Sequence, residues 1–482
     1  MVTNAYRDHL ERFVDSGADR HTLGLVYGRR RIGKSTLLEA LAHDRGGFYW
    51  EATRTESAIQ LARLGEALGA HLGVGPLALA SWEDALTQLV RIGVDGSVPV
   101  VMDEFGYVME AEPSIASVAS TVLGPAHQRR TPGRARLILC GSAIAMLRAL
   151  TAGQAPLRGR AGLELVMYPH DFRSAAERLG PEPDLALATR VYAVIGGVIG
   201  YATDMVDHDL PMNVDDVDRW VATRVLSPAA TLHHEATTLL AEEPTLSTTS
   251  PLIHHSILGA IANGSVTAGR IAKRLGRAVS NIDPALRRLI AAGFVVRHSD
   301  PIRAQRPTYA LADPFLQFHY AVLEPHGQLL RDRDPLRTWH DRLSSVFRSR
   351  VTGPVFEEQA RHWVRVHADS STLGGSPDYV GPSAVAIEGT EHQLDVVVAA
   401  SDRPDSPPAD REVRAIGEAK SGETVGTGRL TELERARASL GPRAAHGKLL
   451  LFAPAFTAEL VTVAARRPDI ELIDLNRLYH GT

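Results

Sequence analysis

One nine-residue stretch constrains the fold of this chain more than any other. It reads GRRRIGKST, spans residues 28–36 and fits the pattern G-x-x-x-x-G-K-[ST]. The apolar segment TLGLVYG (22–28) precedes it, and the helical pattern STLLEALAHD completes it. A strand, a glycine-rich turn and a helix in this order direct backbone N–H groups toward a phosphate at the positive end of the helix. The stretch therefore predicts a phosphate-binding P-loop, although a glycine-rich loop can match the pattern by chance.

The residues around this loop have distinct predicted roles. Lys34 reaches the β- and γ-phosphates of a nucleotide, and Ser35 ligates Mg²⁺. Ser142 follows the apolar segment RLILCG (136–141) at the same sheet edge, where it either senses the γ-phosphate or caps a helix. The predicted nucleotide contacts are Gly28, Arg29, Arg30, Arg31, Ile32, Gly33, Lys34, Ser35, Thr36 and Ser142.

An acidic pair at the end of another apolar segment supports the nucleotide interpretation. The segment VPVVMD (98–103) ends in Asp103, and Glu104 follows it. A Walker B segment of this kind predicts that Asp103 holds Mg²⁺ and that Glu104 orients and deprotonates the attacking water. The alternative is an acidic strand end that faces solvent.

Two arginines are candidates for stabilising the transition state of phosphoryl transfer. Arg158 and Arg160 stand in LRGRAG, before the apolar segment LELVMY (163–168). A planar guanidinium matches phosphoryl oxygens, and we assign this catalytic role to Arg160. The alternative is a solvated loop, and the sequence does not distinguish action in cis from action in trans.

These motifs carry a family resemblance. YGRRRIGKST, VVMDEF, CGS, the RGR turn and YAVIGGVIGY together resemble the prokaryotic ATPase family called archaeal-type, a P-loop branch near the AAA+ and STAND proteins. The resemblance implies ATP as the nucleotide and a parallel sheet with the strand order 5-1-4-3-2. Many members of this family begin with an arginine–glutamate box before the first strand. In this sequence only Arg7 corresponds to that box.

The length and the element pattern predict several α/β domains. With 482 residues the chain is too long for one hydrophobic core, and apolar strands alternate with amphipathic stretches through its first part. The proline-rich insert 401–412 is interpreted as a loop. The predicted domains are a P-loop ATPase core at 1–170, a helical lid at 171–245, a winged helix-turn-helix at 251–325 and a nuclease-like α/β domain at 345–482.

Composition narrows the partners and the compartment. The chain has 52 Lys and Arg against 56 Asp and Glu, a net charge of −4, so contact with DNA would need a local basic patch. The single cysteine, Cys140, excludes an intramolecular disulfide. The charged N-terminal stretch has no apolar signal core, and no apolar run reaches membrane-spanning length. We expect a cytoplasmic protein without a membrane partner.

A local basic patch occurs in the middle of the chain. LIHHSILGAIANG, VTAGRIAKRLG and AVSNIDPALRRLIAAG predict three helices before a hairpin, with Thr267 as a helix N-cap and Gly293 as a helix end. This winged helix-turn-helix pattern predicts either DNA contact through the third helix or a protein-docking surface. The basic residues of the patch are Arg270, Lys273, Arg274, Arg277, Arg287 and Arg288.

Two adjacent histidine pairs invite a metal interpretation. His233 and His234 form one pair, and His254 and His255 form the other. Adjacent residues on a helix do not share a face, so these pairs are poor zinc ligands.

The stretch IGEAKSG (416–422) predicts a second metal site. Glu418 and Lys420 are two residues apart, on one face of a strand, and HQLDVVVAA predicts a neighbouring strand entered at Asp395. In this PD-(D/E)XK arrangement two carboxylates bind Mg²⁺, or Mn²⁺ as an alternative, and the lysine steadies the attacking water. Glu357, in FEEQARHWV, is a third candidate ligand. The predicted metal ligands are Ser35, Asp103, Glu357, Asp395 and Glu418, and the predicted catalytic residues are Glu104, Arg160, Asp395, Glu418 and Lys420.

The order helix-Glu, strand-Asp, strand-Glu-x-Lys, helix, strand resembles restriction-endonuclease-like domains. With the ATPase and winged-helix motifs, most of the chain resembles prokaryotic ATPases that carry such a domain of unknown function at the C-terminus. Two features differ: the insert between the paired strands is long, and Leu394 rather than proline precedes Asp395.

The resulting interpretation is an ATP-hydrolysing switch coupled to a DNA-directed, Mg²⁺-dependent nuclease domain, in defence or mobile-element biology by analogy. The alternative is a STAND-like or origin-recognition-like ATPase that binds DNA or protein and has a catalytically inactive C-terminal domain. Both interpretations leave open a homo-oligomer or a protein partner.

Overall fold

The structure is a computed structural model that describes residues 2–247, 251–304, 306–401, 403 and 406–482. The chain divides into two compact units. The first contains Met1–His170, Val198–Gly200 and Glu242–Thr248, and the second contains Asp171–Gly197, Tyr201–Ala241 and Thr249–Thr482. The four predicted domain boundaries stay predictions, because this division separates only two units.

The first unit is built on a five-stranded parallel sheet. Its strands lie in the order β2-β3-β4-β1-β5, which is the predicted order 5-1-4-3-2 counted from the other edge, so that prediction is confirmed. The elements are α1 (Val2–Val14), β1 (Thr22–Tyr27), α2 (Lys34–Asp44), β2 (Phe48–Glu51), α3 (Ser57–His71), α4 (Trp82–Arg91), β3 (Ser97–Asp103), α5 (Phe105–Ala111), α6 (Ile115–Val122), α7 (Pro125–Arg130), β4 (Arg134–Gly141), α8 (Ile144–Ala149) and β5 (Ala161–Val166).

The central strands of this sheet are continuous apolar runs because helices cover both of its faces. In β4, all residues after Arg134 are buried. Leu137 and Leu139 lie in one core cluster with Trp82 and Leu86 of α4. The parallel register sets Tyr27 beside Gly141 of β4 and Val166 of β5. The residues that follow these strands therefore meet at one edge of the sheet, where ligands of such folds bind.

The segment from residue 171 to 247 is helical, as predicted from the sequence. Its second α-helix ends at Ile195, and Gly196 follows with a φ of 60°. The α-helices are α9 (Phe172–Ala176), α10 (Leu185–Ile195), α11 (Val217–Val221), α12 (Thr231–Ala241) and α13 (Pro244–Ser247); short 3-10 or π-helical turns occupy Glu177–Leu179, Tyr201–Met205, Val214–Asp216 and Ala222–Leu226.

Three helices and a hairpin follow, as predicted for the basic module. They are α14 (Pro251–Ala262), α15 (Ala268–Arg274), α16 (Val279–Ala291) and the antiparallel strands β6 (Val295–His298) and β7 (Thr308–Leu311). The Thr267 hydroxyl accepts a hydrogen bond from the Arg270 amide at 3.3 Å, which confirms the predicted N-cap of α15. Gly293, just after α16, has a φ of 77°, in the region that favours glycine.

A helical stretch connects this module to the C-terminal sheet, and its central part, residues 326–344, lies between the predicted winged-helix and nuclease-like domains. Its buried aromatic residues Phe318, Trp339 and Phe347 contact one another. The stretch contains α17 (Pro314–Phe318), α18 (Gly327–Asp332), α19 (Pro335–Thr338) and α20 (Ser344–Phe347), with π-helical or 3-10 turns at His319–Leu323, Glu324–His326, Trp339–Leu343 and Arg348–Thr352.

The C-terminal part contains a mixed five-stranded sheet in the order β14-β12-β10-β9-β8. The pairs β8–β9 and β9–β10 are antiparallel, and β10–β12 and β12–β14 are parallel. The elements are α21 (Gly353–Val366), α22 (Ser370–Leu373), β8 (Tyr379–Ile387), β9 (Thr390–Ala400), a 3-10 turn (Pro408–Asp410), β10 (Glu412–Ala419), β11 (Thr424–Val425), α23 (Thr427–Ser439), a 3-10 turn (Gly441–Ala444), β12 (Lys448–Phe452), β13 (Ala455–Phe456), α24 (Ala458–Ala464), β14 (Ile470–Ile473) and α25 (Leu475–His480).

Both faces of this sheet are apolar. Val396 and Val398 belong to a core cluster with Trp363 of α21, whereas Val397 belongs to a second cluster with Leu433 of α23. Successive residues of β9 therefore point to opposite helices, as the period of a strand requires. Within the insert 401–412, Asp402 and 404–405 lie outside the described residues.

The edge strand β8 was not predicted. Its sequence, YVGPSAVAI, contains a glycine and a proline, and both interrupt the apolar alternation expected of a strand. The register of β8 against β9 shifts between Gly381 and Ser383, around Pro382. Proline is tolerated here because an edge strand has one side without a ladder partner.

No helix in the described part of the chain is long and apolar enough to cross a membrane.

Candidate functional site

The P-loop stretch GRRRIGKST follows β1 and includes the first turn of α2, as the sequence predicted. A side chain at Gly28 would place its Cβ 2.3 Å from the Met167 carbonyl oxygen, so only glycine fits there. Gly33 has a φ of 89° and ends the loop at the N-terminus of α2. Arg31 also has a positive φ, of 64°. The loop thus turns tightly toward the positive end of the helix, which is the geometry that phosphate binding needs.

Lys34 is buried within this loop. Its ammonium donates hydrogen bonds of 2.8 Å to the carbonyl oxygens of Gly28 and Arg29. Burial lowers the pKa of Lys34, while the nearby Glu104 and Asp103 act in the opposite direction. A cation held at the mouth of the loop by neutral carbonyls can exchange them for phosphate oxygens, which are stronger acceptors.

Asp103 ends β3 and lies next to the start of α2. It is buried, and its carboxylate accepts hydrogen bonds from the Tyr49 hydroxyl at 2.8 Å and from the Glu104 amide at 2.7 Å. Burial would raise its pKa, but hydrogen bonds from Cys140, Ser35, the Glu104 amide and Tyr49 outweigh burial and keep the pKa low. A carboxylate beside the Ser35 hydroxyl is the oxygen donor pair that a magnesium nucleotide requires. Asp103 and Ser35 therefore fit the metal.

Glu104 has a strained backbone. Its φ and ψ of 47° and 40° are left-handed, a conformation that costs a non-glycine residue about 1–3 kcal/mol and often marks a functional site. The Ser142 hydroxyl donates to Glu104 Oε2 at 3.3 Å. The predicted base and the predicted sensor are thus direct neighbours at the carboxyl edge of the sheet.

The arginines of the loop differ in environment. Arg29 is buried, and Arg31 is exposed. Arg30 donates to the Tyr107 hydroxyl at 2.7 Å and pairs with Glu242 at 3.0 Å. Arg30 therefore links the loop to neighbouring elements of the first unit.

Arg160 is engaged with the end of α6. Its guanidinium donates to the Ser120 hydroxyl at 3.0 Å and to the Leu123 carbonyl at 3.2 Å. Arg158 donates to the Gly153 carbonyl within its own loop. To act on a phosphate, Arg160 would first have to leave Ser120, so its catalytic role stays a prediction.

The second candidate site lies on the β9–β10 hairpin. Gly417 is opposite Val396, and extending this register by one residue places Glu418 opposite Asp395. Asp395 lies within β9 rather than at its start, and its Oδ2 accepts a hydrogen bond of 2.9 Å from the Ala419 amide. Lys420 lies just past the end of β10, and its ammonium is 2.5 Å from Glu418 Oε1. The hairpin therefore brings together the three residues that the sequence predicted would meet.

The charges of this hairpin are strongly coupled. Burial and the charge of Glu357 raise the pKa of Asp395 to about 7, although the Ala419 amide and Lys420 act in the opposite direction. Burial and Asp395 raise the pKa of Glu418, and burial raises that of Glu357. Carboxyl groups with raised pKa values in one small region are typical of sites that bind a cation.

The oxygen atoms of these carboxylates are suitable ligands for a hard cation, but their positions do not converge fully on one point. Glu357, Asp395 and Glu418 do not bring three ligand oxygens within 4.8 Å of one another. Asp395 and Glu418 would be the protein ligands of Mg²⁺, which commonly uses one or two carboxylates and completes its shell with water and substrate oxygens. Glu357 on α21 would join only after a side-chain movement.

Sequence reasoning missed two residues of these sites. Tyr49 on β2 binds Asp103, but a tyrosine inside an apolar strand indicates only a core position. The buried Arg361 on α21 donates to the Asp395 carbonyl at 2.8 Å and to Glu358 at 2.8 Å. The helical stretch FEEQARHWV showed that this arginine exists but not that it supports the backbone under Asp395.

Comparison with known proteins gives distant similarities. No family model matches the chain. An uncharacterized protein of Methanocaldococcus jannaschii is 26% identical over 309 residues, which cover 63% of this chain and 64% of that protein. The chain therefore matches less than two thirds of the length of this relative.

Solved structures give similarities of the same low level. The Walker-type ATPase of Pyrococcus abyssi has a TM-score of 0.44 and 17% identity, covering 66% of this chain and 94% of that one. The ORC2 protein of Aeropyrum pernix, in ADPNP-ADP complexes, has a TM-score of 0.43 and 18% identity, covering 68% and 93%. At these scores, the assignment of the nucleotide site rests on the loop and strand geometry of this chain.

Proposed function

We propose that this protein is an ATP-binding and ATP-hydrolysing switch with Mg²⁺ as the nucleotide's metal. The observation that supports it best is the arrangement around the β1–α2 loop. Lys34 is buried and donates a hydrogen bond to the Gly28 carbonyl of the loop, and the Asp103 carboxylate accepts a hydrogen bond from the Ser35 hydroxyl. Magnesium would supply charge neutralisation between the phosphates. The residues of this chain would hold the phosphates, position Mg²⁺ and orient water through Glu104.

Nucleotide binding by a Lys34→Ala variant tests this proposal. The loop would lose its cation for the β- and γ-phosphates, so affinity for ATP should fall by at least about 100-fold, the scale of a lost charged hydrogen bond in a buried site. The measurement is titration with a fluorescent ATP analogue in Mg²⁺. The matched control is Lys273→Ala, which removes an exposed lysine of α15. This variant should bind ATP as the wild type does. Equal affinity in the Lys34 variant would refute the nucleotide assignment.

We propose further that the second unit is a DNA-directed, Mg²⁺-dependent nuclease module. Two observations support it. Five of the six basic residues of the α15–α16 region are exposed, which gives an acidic protein a local positive surface. The hairpin places Asp395, Glu418 and Lys420 together, and a metal held there would polarise a scissile phosphate. The winged-helix, PD-(D/E)XK and Mn²⁺ assignments are parts of the same proposal.

The second candidate function is an ATPase switch that binds DNA or protein and has an inactive C-terminal domain. The observation that favours it is the incomplete convergence of Glu357, Asp395 and Glu418. Incubation of the protein with supercoiled, linear and single-stranded DNA in Mg²⁺ or Mn²⁺ separates the two candidates. Cleavage that requires Asp395 supports the nuclease, and intact DNA under all these conditions supports the switch.

A further inference from the structure

Three side chains outside both sites converge in the second unit. Asp171 lies just before α9, His362 lies on α21, and His367 follows the end of α21. Asp171 Oδ2 is 3.4 Å from His362 Nε2 and 3.6 Å from His367 Nε2. One ligand atom from each residue lies within 4.8 Å of the other two. Among the described residues, this is the group of three that could hold a metal ion.

The three ligand atoms are available to a metal. Asp171 uses its Oδ1 to accept the Ser174 amide at 2.8 Å, so capping of α9 leaves Oδ2 toward the histidines. The Nε2 atoms of His362 and His367 are buried and have no hydrogen-bond partner. Buried ring nitrogens without partners are costly, and metal coordination would satisfy both at once.

The distances match the coordination of zinc. Zinc–nitrogen and zinc–carboxylate bonds of about 2.0–2.1 Å at tetrahedral angles place neighbouring ligand atoms about 3.3–3.4 Å apart. The two Asp171–histidine distances, 3.4 and 3.6 Å, are close to that edge. They are long for a histidine–carboxylate hydrogen bond, which is usually about 2.7–2.9 Å.

The surroundings hold the two histidine ligands in position. The ring of Phe172 packs edge-on against both imidazoles, at 5.9 and 6.2 Å between centroids, and fixes their positions.

We propose that Asp171, His362 and His367 form a zinc site with one coordination position left for water. Two neutral imidazoles and one carboxylate suit Zn²⁺ and not Mg²⁺, which prefers oxygen ligands. The cluster lies near the surface of the second unit, since 32% of the His362 side chain is exposed. The ion would connect the start of α9 to the end of α21, two elements far apart in the sequence, and would stabilise the second unit.

Metal binding by the full-length chain tests the proposal. We expect one Zn²⁺ per chain by equilibrium dialysis in excess Mg²⁺, which occupies the carboxylate sites without competing for nitrogen ligands. We also expect Co²⁺, used as a probe, to give the visible d–d absorption of a four-coordinate ion. His362→Ala, His367→Ala and Asp171→Asn should each lower Zn²⁺ affinity by more than about 100-fold, because even outer partners of metal ligands cost 10–100-fold.

Two controls keep the result interpretable. In Asp171→Asn the amide oxygen can still cap α9, so loss of Zn²⁺ with an unchanged circular dichroism spectrum reports a lost ligand and not unfolding. His340→Ala removes a histidine 3.6 Å from a single carboxylate, that of Asp218, and should bind Zn²⁺ as the wild type does. Zn²⁺ should also raise the Tm of the wild type and of His340→Ala only. Unchanged Zn²⁺ affinity in all three ligand variants, or no Zn²⁺ bound by the wild type, would overturn the proposal.

Discussion

The ammonium of Lys420 lies 2.5 Å from the carboxylate of Glu418, one residue past the end of β10. Both side chains are partly exposed, at 29% and 17%, so the pair lies at the open end of the hairpin. The charge of Lys420 favours the ionised form of Glu418, and the charge of Glu418 favours the protonated form of Lys420. Asp395 is a second negative group near Lys420. In the proposed nuclease, Lys420 can therefore either stabilise the attacking oxygen or serve only as the counter-ion of Glu418.

A lysine variant separates these roles. Lys420→Ala should remove Mg²⁺-dependent DNA cleavage while Mn²⁺ still binds, because Asp395 and Glu418 keep their oxygens. The matched control is Lys448→Ala, which removes a lysine paired with Glu471 at 3.2 Å in the same sheet. Plasmid cleavage and Mn²⁺ binding by electron paramagnetic resonance are the measurements. Full cleavage by Lys420→Ala would leave the lysine as a counter-ion only.

Hydrolysis of ATP is expected to depend on Glu104. Glu104→Gln keeps the size of the side chain and its hydrogen bond to Ser142 but removes the base. ATP should therefore bind normally, and its turnover should be slower by at least about 10²-fold. Phosphate release and nucleotide affinity are measured on the same preparation. Glu110→Gln, which breaks a surface pair with Arg54, is the control. Normal turnover in Glu104→Gln would assign the base to another residue.

The pKa of Asp395 predicts a pH-dependent cost in stability. The folded protein raises this pKa from 3.8 to about 7, so it favours the protonated carboxyl more than the unfolded chain does. The stabilising contribution is complete below pH 3.8 and is lost as the pH rises to about 7. Asp395→Asn cannot ionise and should therefore be more stable than the wild type at pH 8, by up to about 4 kcal/mol for a shift from 3.8 to about 7.

Urea unfolding of the metal-free protein at several pH values measures this difference. The advantage of Asp395→Asn should open between about pH 4 and 7 and then stay constant. Asp378→Asn changes an exposed aspartate that accepts a hydrogen bond from the Ser401 amide, and it serves as the control for replacing a surface aspartate. A wild type that is more stable than Asp395→Asn at pH 8 would mean that the carboxylate is stabilised by its cations.

How far the sequence could predict these sites depends on how local each signal is. The P-loop was located from the spacing of neighbouring residues and from the strand and helix patterns that flank it. The β9–β10 hairpin was located from Glu418 and Lys420, two residues apart, and from the apolar segment that contains Asp395. The order of the parallel sheet came from the family resemblance. By contrast, β8 was missed because Pro382 breaks its pattern, and Tyr49 was missed because its partner Asp103 is on another strand.

The histidine cluster shows the same limit more clearly. His362 and His367 are five residues apart, and on a regular helix such residues point about 140° away from each other. They come together at the end of α21, where His367 is the C-cap residue and its φ of −117° departs from the helical value of about −63°. Asp171 comes from a distant part of the chain. No sequence pattern contains this information, whereas the adjacent pairs that the sequence offered do not share a face.

The basic module yields a prediction in which two substitutions change DNA affinity in opposite directions. Arg287 on α16 is exposed and pairs with Asp283 one turn earlier, at 2.5 Å. If α16 contacts DNA phosphates, Asp283 competes with the phosphate for this arginine. Arg287→Ala should weaken DNA binding and reduce the slope of log affinity against log salt concentration by about one unit. Asp283→Asn should strengthen binding by about 2–5-fold because it removes a negative charge from the same surface.

Fluorescence anisotropy with a short duplex, between low and physiological salt, measures both effects. Arg297→Ala, on β6 outside the helix, is the comparison for a general loss of positive charge. If Arg287→Ala and Asp283→Asn both leave DNA affinity unchanged at low salt, α16 does not contact phosphates and the module belongs to the protein-docking class.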